Sequence, residues 1–192
     1  MAGSKTELDI NIEGLILMII FTVGWTISSE IFFDHSDHNL SAYFFGAVII
    51  FLIYKCVKLK IEKNYVSVPP LENGNKKGQW YAAVISLEVI AIFAILIILI
   101  NAGNEHLIIY SIALIVGLHF LPMAKIFNRK FDHYISFWTT AISGIGLLLI
   151  LFEQFDYKIV NAFVCVGCAI STTTYGFKMI KDSNLIIEKN KK

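Results

Sequence analysis

The apolar residues of this chain fall into six long blocks separated by polar stretches. The blocks lie at about residues 13–33, 41–57, 80–101, 107–124, 134–152 and 159–178. Each is close to the roughly 20 residues that an α-helix needs to cross the hydrocarbon layer of a membrane. The pattern therefore predicts an all-α integral membrane protein, with six transmembrane helices in a single polytopic membrane domain that spans residues 1–192.

The connections between the blocks predict how the helices follow one another. Those between the first and second, third and fourth, and fifth and sixth blocks are short. Because short connections join antiparallel neighbours, we expect three helical hairpins. The longest connection, residues 58–79, contains Pro69-Pro70 and an Asn-Gly-Asn run from Asn73. These residues break regular structure, so this segment is predicted to be a flexible surface loop.

The basic residues indicate an orientation in the membrane. If the N-terminus is cytoplasmic, all of the 16 lysines and arginines except Lys158 fall on the cytoplasmic side. This strong bias follows the positive-inside rule. It predicts that both termini and the loop 58–79 are cytoplasmic, in a plasma membrane or a bacterial inner membrane. The tail 182–192 is expected to be a frayed cytoplasmic extension of the last helix.

The composition agrees with this class and limits the partners. The chain has 192 residues, is 56% hydrophobic and has a mean hydropathy of +0.67, which leaves little sequence for a soluble domain. Its net charge of +1 provides no basic excess for binding nucleic acid. The expected partner is therefore the lipid bilayer, a homo-oligomer is left open, and the cofactor is unknown.

The strongest candidate site is a pair of ionisable residues inside two adjacent blocks. Glu88 lies in the third block and His119 in the fourth, at similar distances from the predicted cytoplasmic ends. A short turn joins the blocks, so a contact between the two side chains is available. Ionisable groups in hydrocarbon are costly, and they are typical of proton relays and cation sites. The alternative is an interhelical hydrogen bond that only stabilises packing. Pro122, one turn from His119, is expected to kink or loosen this helix.

Polar and small residues recur on one face of the sixth block. The face consists of Asn161, Cys165, Cys168, Thr172 and Tyr175. The spacing is helical, and a similar face on the fifth block includes Thr140. We predict that Thr172, Tyr175 and Thr140 line the Glu88–His119 site. The same faces could instead be small-residue seams along which transmembrane helices pack.

Acidic residues and histidines cluster on the predicted outer side. They are Glu30, Asp34, His35, Asp37, His38 and His106. Such a rim would attract cations to the mouth of a pathway, and its oxygen and nitrogen atoms could bind a divalent ion. The alternative is a solvated loop that is acidic because lysines are kept inside. No spacing is diagnostic, so we assign no metal ligand.

Signatures of catalysis are missing from the sequence. It contains no His-Glu-x-x-His, no Gly-x-Ser-x-Gly and no phosphate-binding glycine-rich loop. Cys165 and Cys168 have redox spacing, but they lie inside an apolar block without a second pair. The sequence thus argues against an enzyme. It favours a small transporter or channel-like protein for a proton, metal cation or small solute, which uses a Glu-His site in the cytoplasmic half of the membrane. The alternative is a non-transporting membrane sensor, immunity or assembly subunit whose polar residues only pack helices.

Overall fold

Six long helices account for most of the chain in the computed structural model, which describes residues 5–34, 36–70, 74–152 and 155–191. The helices are α1 (Glu7–Phe33), α2 (Leu40–Glu62), α3 (Gly74–Asn101), α4 (Ile108–Phe127), α5 (Lys130–Leu151) and α6 (Tyr157–Asn190). Each is long and apolar enough to cross a membrane, and the described ranges contain no β-strand. The prediction of an all-α chain with six membrane-length helices is confirmed. These helices are typical of a multi-pass integral membrane protein.

The helices extend past the apolar blocks at their lysine-bearing ends. α1 begins at Glu7, before the first block, and α6 continues to Asn190, well past the last. At the start of α1, the Thr6 hydroxyl accepts from the Asp9 backbone N–H while the Asp9 carboxylate accepts from the Thr6 backbone N–H. Such reciprocal capping satisfies the first free N–H groups of a helix. An apolar pattern therefore marks the segment that suits hydrocarbon, whereas capping residues decide where the helix begins.

α6 is the centre of the helix assembly. It contacts α1, α2, α4 and α5, and its apolar segment is the most buried of the six. α3 is the opposite case, since α4 is its main packing partner and most of its surface is exposed. Exposed apolar surface costs little in lipid, which is as apolar as the side chains. The fold therefore has a core around α6 and a peripheral α3.

The polar face of α6 is buried in this core. The hydroxyls of Thr172 and of Thr22 in α1 lie 2.8 Å apart and share a hydrogen bond. The hydroxyls of Ser171 and of Thr139 in α5 share another of 2.8 Å. Hydrocarbon offers no hydrogen-bond partner, so these bonds satisfy the hydroxyls and hold α1 and α5 against α6.

The tail 182–192, expected to be frayed, is helical as far as Asn190. Ser183 and Ile187 are buried, and Ile187 belongs to the same apolar core as Leu8 of α1. The lysine-rich composition of this segment concealed the spacing of four residues that places Ser183 and Ile187 on one helical face. Packing against α1 therefore stabilises the end of α6.

Part of the segment 58–79, expected to be a flexible loop, is also held against the helices. Lys63 begins a short 3₁₀ turn and forms an ion pair with Asp9 of α1. Beyond this turn, Val66 and Val68 pack against the apolar core. Alternate residues of an extended chain share one side, and this spacing lets both valines reach the core.

Close packing of α4 on α5 predicts a strong effect of one substitution. A Cβ atom added at Gly117 would lie 2.6 Å from the Thr140 Oγ1 atom and 3.0 Å from the Thr140 backbone nitrogen. Backbone atoms cannot move aside as a side chain does. We therefore expect Gly117→Ala to lower the free energy of unfolding by about 1–3 kcal/mol. Thermal unfolding in detergent measures this loss.

Gly144 of α5 is the matched control, because an added Cβ there meets no atom within 4 Å. Gly144→Ala should leave stability unchanged or raise it slightly, since alanine favours helix more than glycine does. Equal melting temperatures for the two variants would contradict the close approach of α4 and α5.

Candidate functional site

Glu88 is the one acidic residue in the sequence of α3, and it is turned away from the exposed surface of that helix. Its neighbours Leu87, Val89 and Ile90 are all exposed, whereas Glu88 is 4% exposed. A carboxylate on the lipid side of a helix would be very costly. The rotation of α3 therefore buries its carboxylate against α4 and leaves its apolar side chains for lipid.

His119 of α4 meets Glu88 in this contact. The His119 Nδ1 and Glu88 Oε1 atoms lie 3.1 Å apart, and the two side chains are 5% and 2% exposed. This is ion-pair distance, but the two groups are not aligned as a hydrogen bond, and neither atom has another hydrogen-bond partner in the described part of the chain. The structure thus brings the two candidates together in a buried position. The Glu88 Oε1 and His119 Nδ1 atoms can each still form a hydrogen bond.

His119 also borders a small cavity. Its volume is about 20 Å³, and its wall includes His119, Phe120, Tyr175, Tyr81, Arg129 and Met18. This is enough space for one water molecule and no more. Tyr175 of α6 and His119 of the Glu88–His119 pair therefore border the same small cavity.

Tyr175 connects this cavity to a residue that the sequence analysis missed. Its hydroxyl donates a hydrogen bond of 2.7 Å to the Asp132 Oδ1 atom. Asp132 lies in the first turn of α5 and is 0% exposed. Its Oδ2 atom has no hydrogen-bond partner among the described residues. A second buried carboxylate is therefore connected to the site through Tyr175.

The sequence did contain a signal for Asp132. Asp132, Ser136, Thr139 and Ser143 recur at helical spacing, and all four are buried. Asp132 lies two residues after Lys130 and before the predicted start of the fifth block at 134. The apolar block alone therefore did not include Asp132.

The other predicted site residues lie elsewhere. The Thr172 hydroxyl shares a hydrogen bond with the Thr22 hydroxyl. The Thr140 hydroxyl is buried near Gly117. Among the described residues that border the small cavity, neither threonine is present. Pro122 is exposed, and α4 runs without interruption through it.

The acidic residues between α1 and α2 bond to the start of α2. Glu30 accepts hydrogen bonds from the Ser41 hydroxyl and from the Ala42 N–H. Asp37 accepts from the backbone N–H groups of Asn39 and Ser41. Desolvation alone would raise the pKa of the Asp37 carboxyl, but these hydrogen bonds outweigh it and lower the pKa below its ordinary value. Both carboxylates thus cap a helix whose first N–H groups need acceptors.

The rest of the predicted outer rim is dispersed. Asp34 and His38 are exposed residues in left-handed backbone conformation, and His106 lies in a 3₁₀ turn before α4. His35 lies outside the described residues. Within the described ranges, no three acidic, histidine or cysteine side chains are grouped as they would be to bind a metal ion.

Comparison with known proteins adds no assignment, because no family model, no curated protein and no solved structure matches this chain.

The buried Glu88–His119 contact predicts a non-additive effect on stability. Replacing either residue alone with leucine leaves the other without its partner, so each variant should lower the free energy of unfolding by about 1–3 kcal/mol. The double variant should lose less unfolding free energy than the two single variants lose together, because no buried polar group is left without its partner. Unfolding in detergent micelles, followed by tryptophan fluorescence, measures all three.

The control cycle pairs Glu88→Leu with Ser183→Ala, a buried polar residue in the packed tail of α6. These two losses should be additive. Additive losses for Glu88 and His119 as well would show that the pair does not interact.

Proposed function

We propose that this chain is a small transporter or channel-like protein for a proton, metal cation or small solute, with Glu88 and His119 as its central ionisable site. The observation that carries the proposal is their buried contact at 3.1 Å on two membrane-length helices. An intramembrane ionisable residue costs free energy that packing rarely repays. Two of them at one point favour a role in moving charge.

The form of the contact also supports a role beyond packing. The hydroxyl pairs of α6, Thr172 with Thr22 and Ser171 with Thr139, are hydrogen bonds that satisfy both partners. The Glu88–His119 contact leaves the facing oxygen and nitrogen unsatisfied by hydrogen bonds. Groups with free bonding capacity can bind and release a third group, as a pathway requires.

The proposal includes an orientation. We infer three helical hairpins with both termini in the cytoplasm, in a plasma membrane or bacterial inner membrane, because this arrangement puts every basic residue but Lys158 inside. Lys77 and Lys125 then mark the cytoplasmic ends of α3 and α4. The Glu88–His119 pair lies in the cytoplasmic half of the membrane.

The alternative is a non-transporting sensor, immunity or assembly subunit. The hydrogen-bonded polar face of α6 favours it, because these residues act as a packing seam between helices. Under this alternative, the Glu88–His119 contact would hold α3 to α4 and nothing would cross the membrane.

Flux measurements separate the two functions. Purified protein in proteoliposomes should carry protons, a divalent cation or a small solute down an imposed gradient. Glu88→Gln and His119→Ala should each lower that flux at least about tenfold, because both remove an ionisable group from the pathway. Glu13→Gln is the control, since Glu13 is an exposed carboxylate paired with Lys5. Flux that is unchanged in the first two variants, or absent from the parent protein, would favour the packing function.

The orientation has its own test. Ser36 and Lys60 are exposed at opposite ends of the α1–α2 region, and all three native cysteines are buried. In intact cells, a membrane-impermeant thiol reagent should label Ser36→Cys from outside and should label Lys60→Cys only after the membrane is opened. Labelling of both from the same side would contradict the six-span orientation.

A further inference from the structure

We propose that the transported species is the proton, and that its cytoplasmic route runs from Glu88 and His119 through Tyr175 to Asp132. The inference rests on the proposed function and deepens it by naming the cargo and the exit. Three contacts make up the route: an ion-pair contact, a cavity of one water and a hydrogen bond.

In the first step, the size of the small cavity that His119 and Tyr175 both border limits which species can pass. Its volume of about 20 Å³ holds a single water molecule. A hydrated metal ion or an organic solute needs far more space than this. A proton needs only one water that accepts from one side and donates to the other, so the gap selects for proton transfer.

The second step is the hydrogen bond from the Tyr175 hydroxyl to Asp132, at 2.7 Å. Asp132 receives this bond on Oδ1, while Oδ2 has no partner among the described residues. A carboxylate that only fixed packing would be expected to have both oxygens satisfied in so buried a place. The free oxygen is the position that can take up and release a proton.

The last step leads to a second, larger cavity. This cavity has a volume of about 310 Å³ and lies beside the start of α5 and the cytoplasmic half of α6. Asp132 and Tyr175 form part of its wall, together with Arg129, Lys130 and Lys178. The space is large enough for several waters. Asp132 is 0% exposed, so its carboxyl must turn toward this cavity before it can pass a proton to the aqueous phase.

Proton transfer along this route balances. Protonated His119 gives a proton to the water in the small cavity, and that water passes one to the Tyr175 oxygen as the Tyr175 hydroxyl proton moves to Asp132. Asp132 releases this proton to water in the larger cavity, and rotation of the Tyr175 hydroxyl restores its hydrogen bond. The neutral His119 keeps its other proton on Nδ1, which faces Glu88. The ring must therefore turn over, so that this N–H points to the small cavity and the bare nitrogen faces Glu88. Glu88 then protonates that nitrogen and takes its own next proton from the outer side of the membrane.

Several charged and titratable groups face the route and will shape its pH dependence. On α3 they are Glu88 and Tyr81, near the N-terminus of α5 they are Arg129 and His133, and on α6 they are Lys178 and Asp182. Lys178 and Asp182 form an ion pair with each other. Asp132 and Tyr175 are therefore the groups whose replacement tests the route most directly.

The test measures proton flux in proteoliposomes with an internal pH-sensitive dye, while potassium and valinomycin hold the membrane potential. Asp132→Asn and Tyr175→Phe preserve shape, and each should lower proton flux per folded protein at least about tenfold. Asp132→Glu keeps a carboxyl group and should retain flux with a shifted pH profile. Glu188→Gln, an exposed acid on α6, should match the parent protein. Each variant is assayed only if it elutes as a single folded species from a size-exclusion column. If Asp132→Asn does not fold, the flux of Tyr175→Phe alone tests the route.

The outcomes separate the two proposals. Loss of proton flux in both shape-preserving variants supports the route. Flux that falls in Glu88→Gln but not in Tyr175→Phe or Asp132→Asn overturns the route and leaves the proposed function standing. A parent protein that carries a metal cation or solute but no protons also overturns the route. No flux of any kind in the parent overturns both.

Discussion

Polar groups within the hydrocarbon layer must find their partners inside the protein, and this requirement organises the six helices. An unpaired hydroxyl or amide costs free energy where no water is available. α6 carries the most such groups, and neighbours on both sides, Thr22 of α1 and Thr139 of α5, satisfy two of its hydroxyls. The most polar of the helices is therefore the most enclosed, and the strongly apolar α3 lies at the periphery.

Glu88 and His119 differ from this pattern in a way that bears on function. They are as buried as the hydroxyls of α6, yet the facing atoms are not satisfied by aligned hydrogen bonds. The same is true of the Asp132 Oδ2 atom, whose carboxylate accepts a hydrogen bond from Tyr175 at the small cavity that His119 also borders. Other buried polar atoms, such as the hydroxyl oxygens of Thr140 and Thr173, also have no partner among the described residues. Glu88, His119 and Asp132 are the acidic and histidine side chains among them, and His119 and Asp132 border cavities.

Part of the candidate site could be predicted from the sequence. Glu88 and His119 were recognisable because an ionisable residue in an apolar block is unusual wherever its helix lies, and the short turn between the blocks made them neighbours. Asp132 was missed because it begins its helix among loop charges, although it continues the polar face of α5. Thr172 and Thr140 share faces with site residues, but the structure sets them apart from the small cavity. Residues on one helical face can still point to different neighbours at different depths.

The sequence by itself determined the all-α class and the six membrane-length helices, because block length and apolar content act on each helix separately. It did not determine the helix ends, the packed tail with Ser183 and Ile187, or the valines that hold the long connection. Only the tertiary structure decided which polar side chains meet. The rotation of each helix about its axis, and close approaches such as that at Gly117, depend on all neighbours together, and a linear pattern does not specify them.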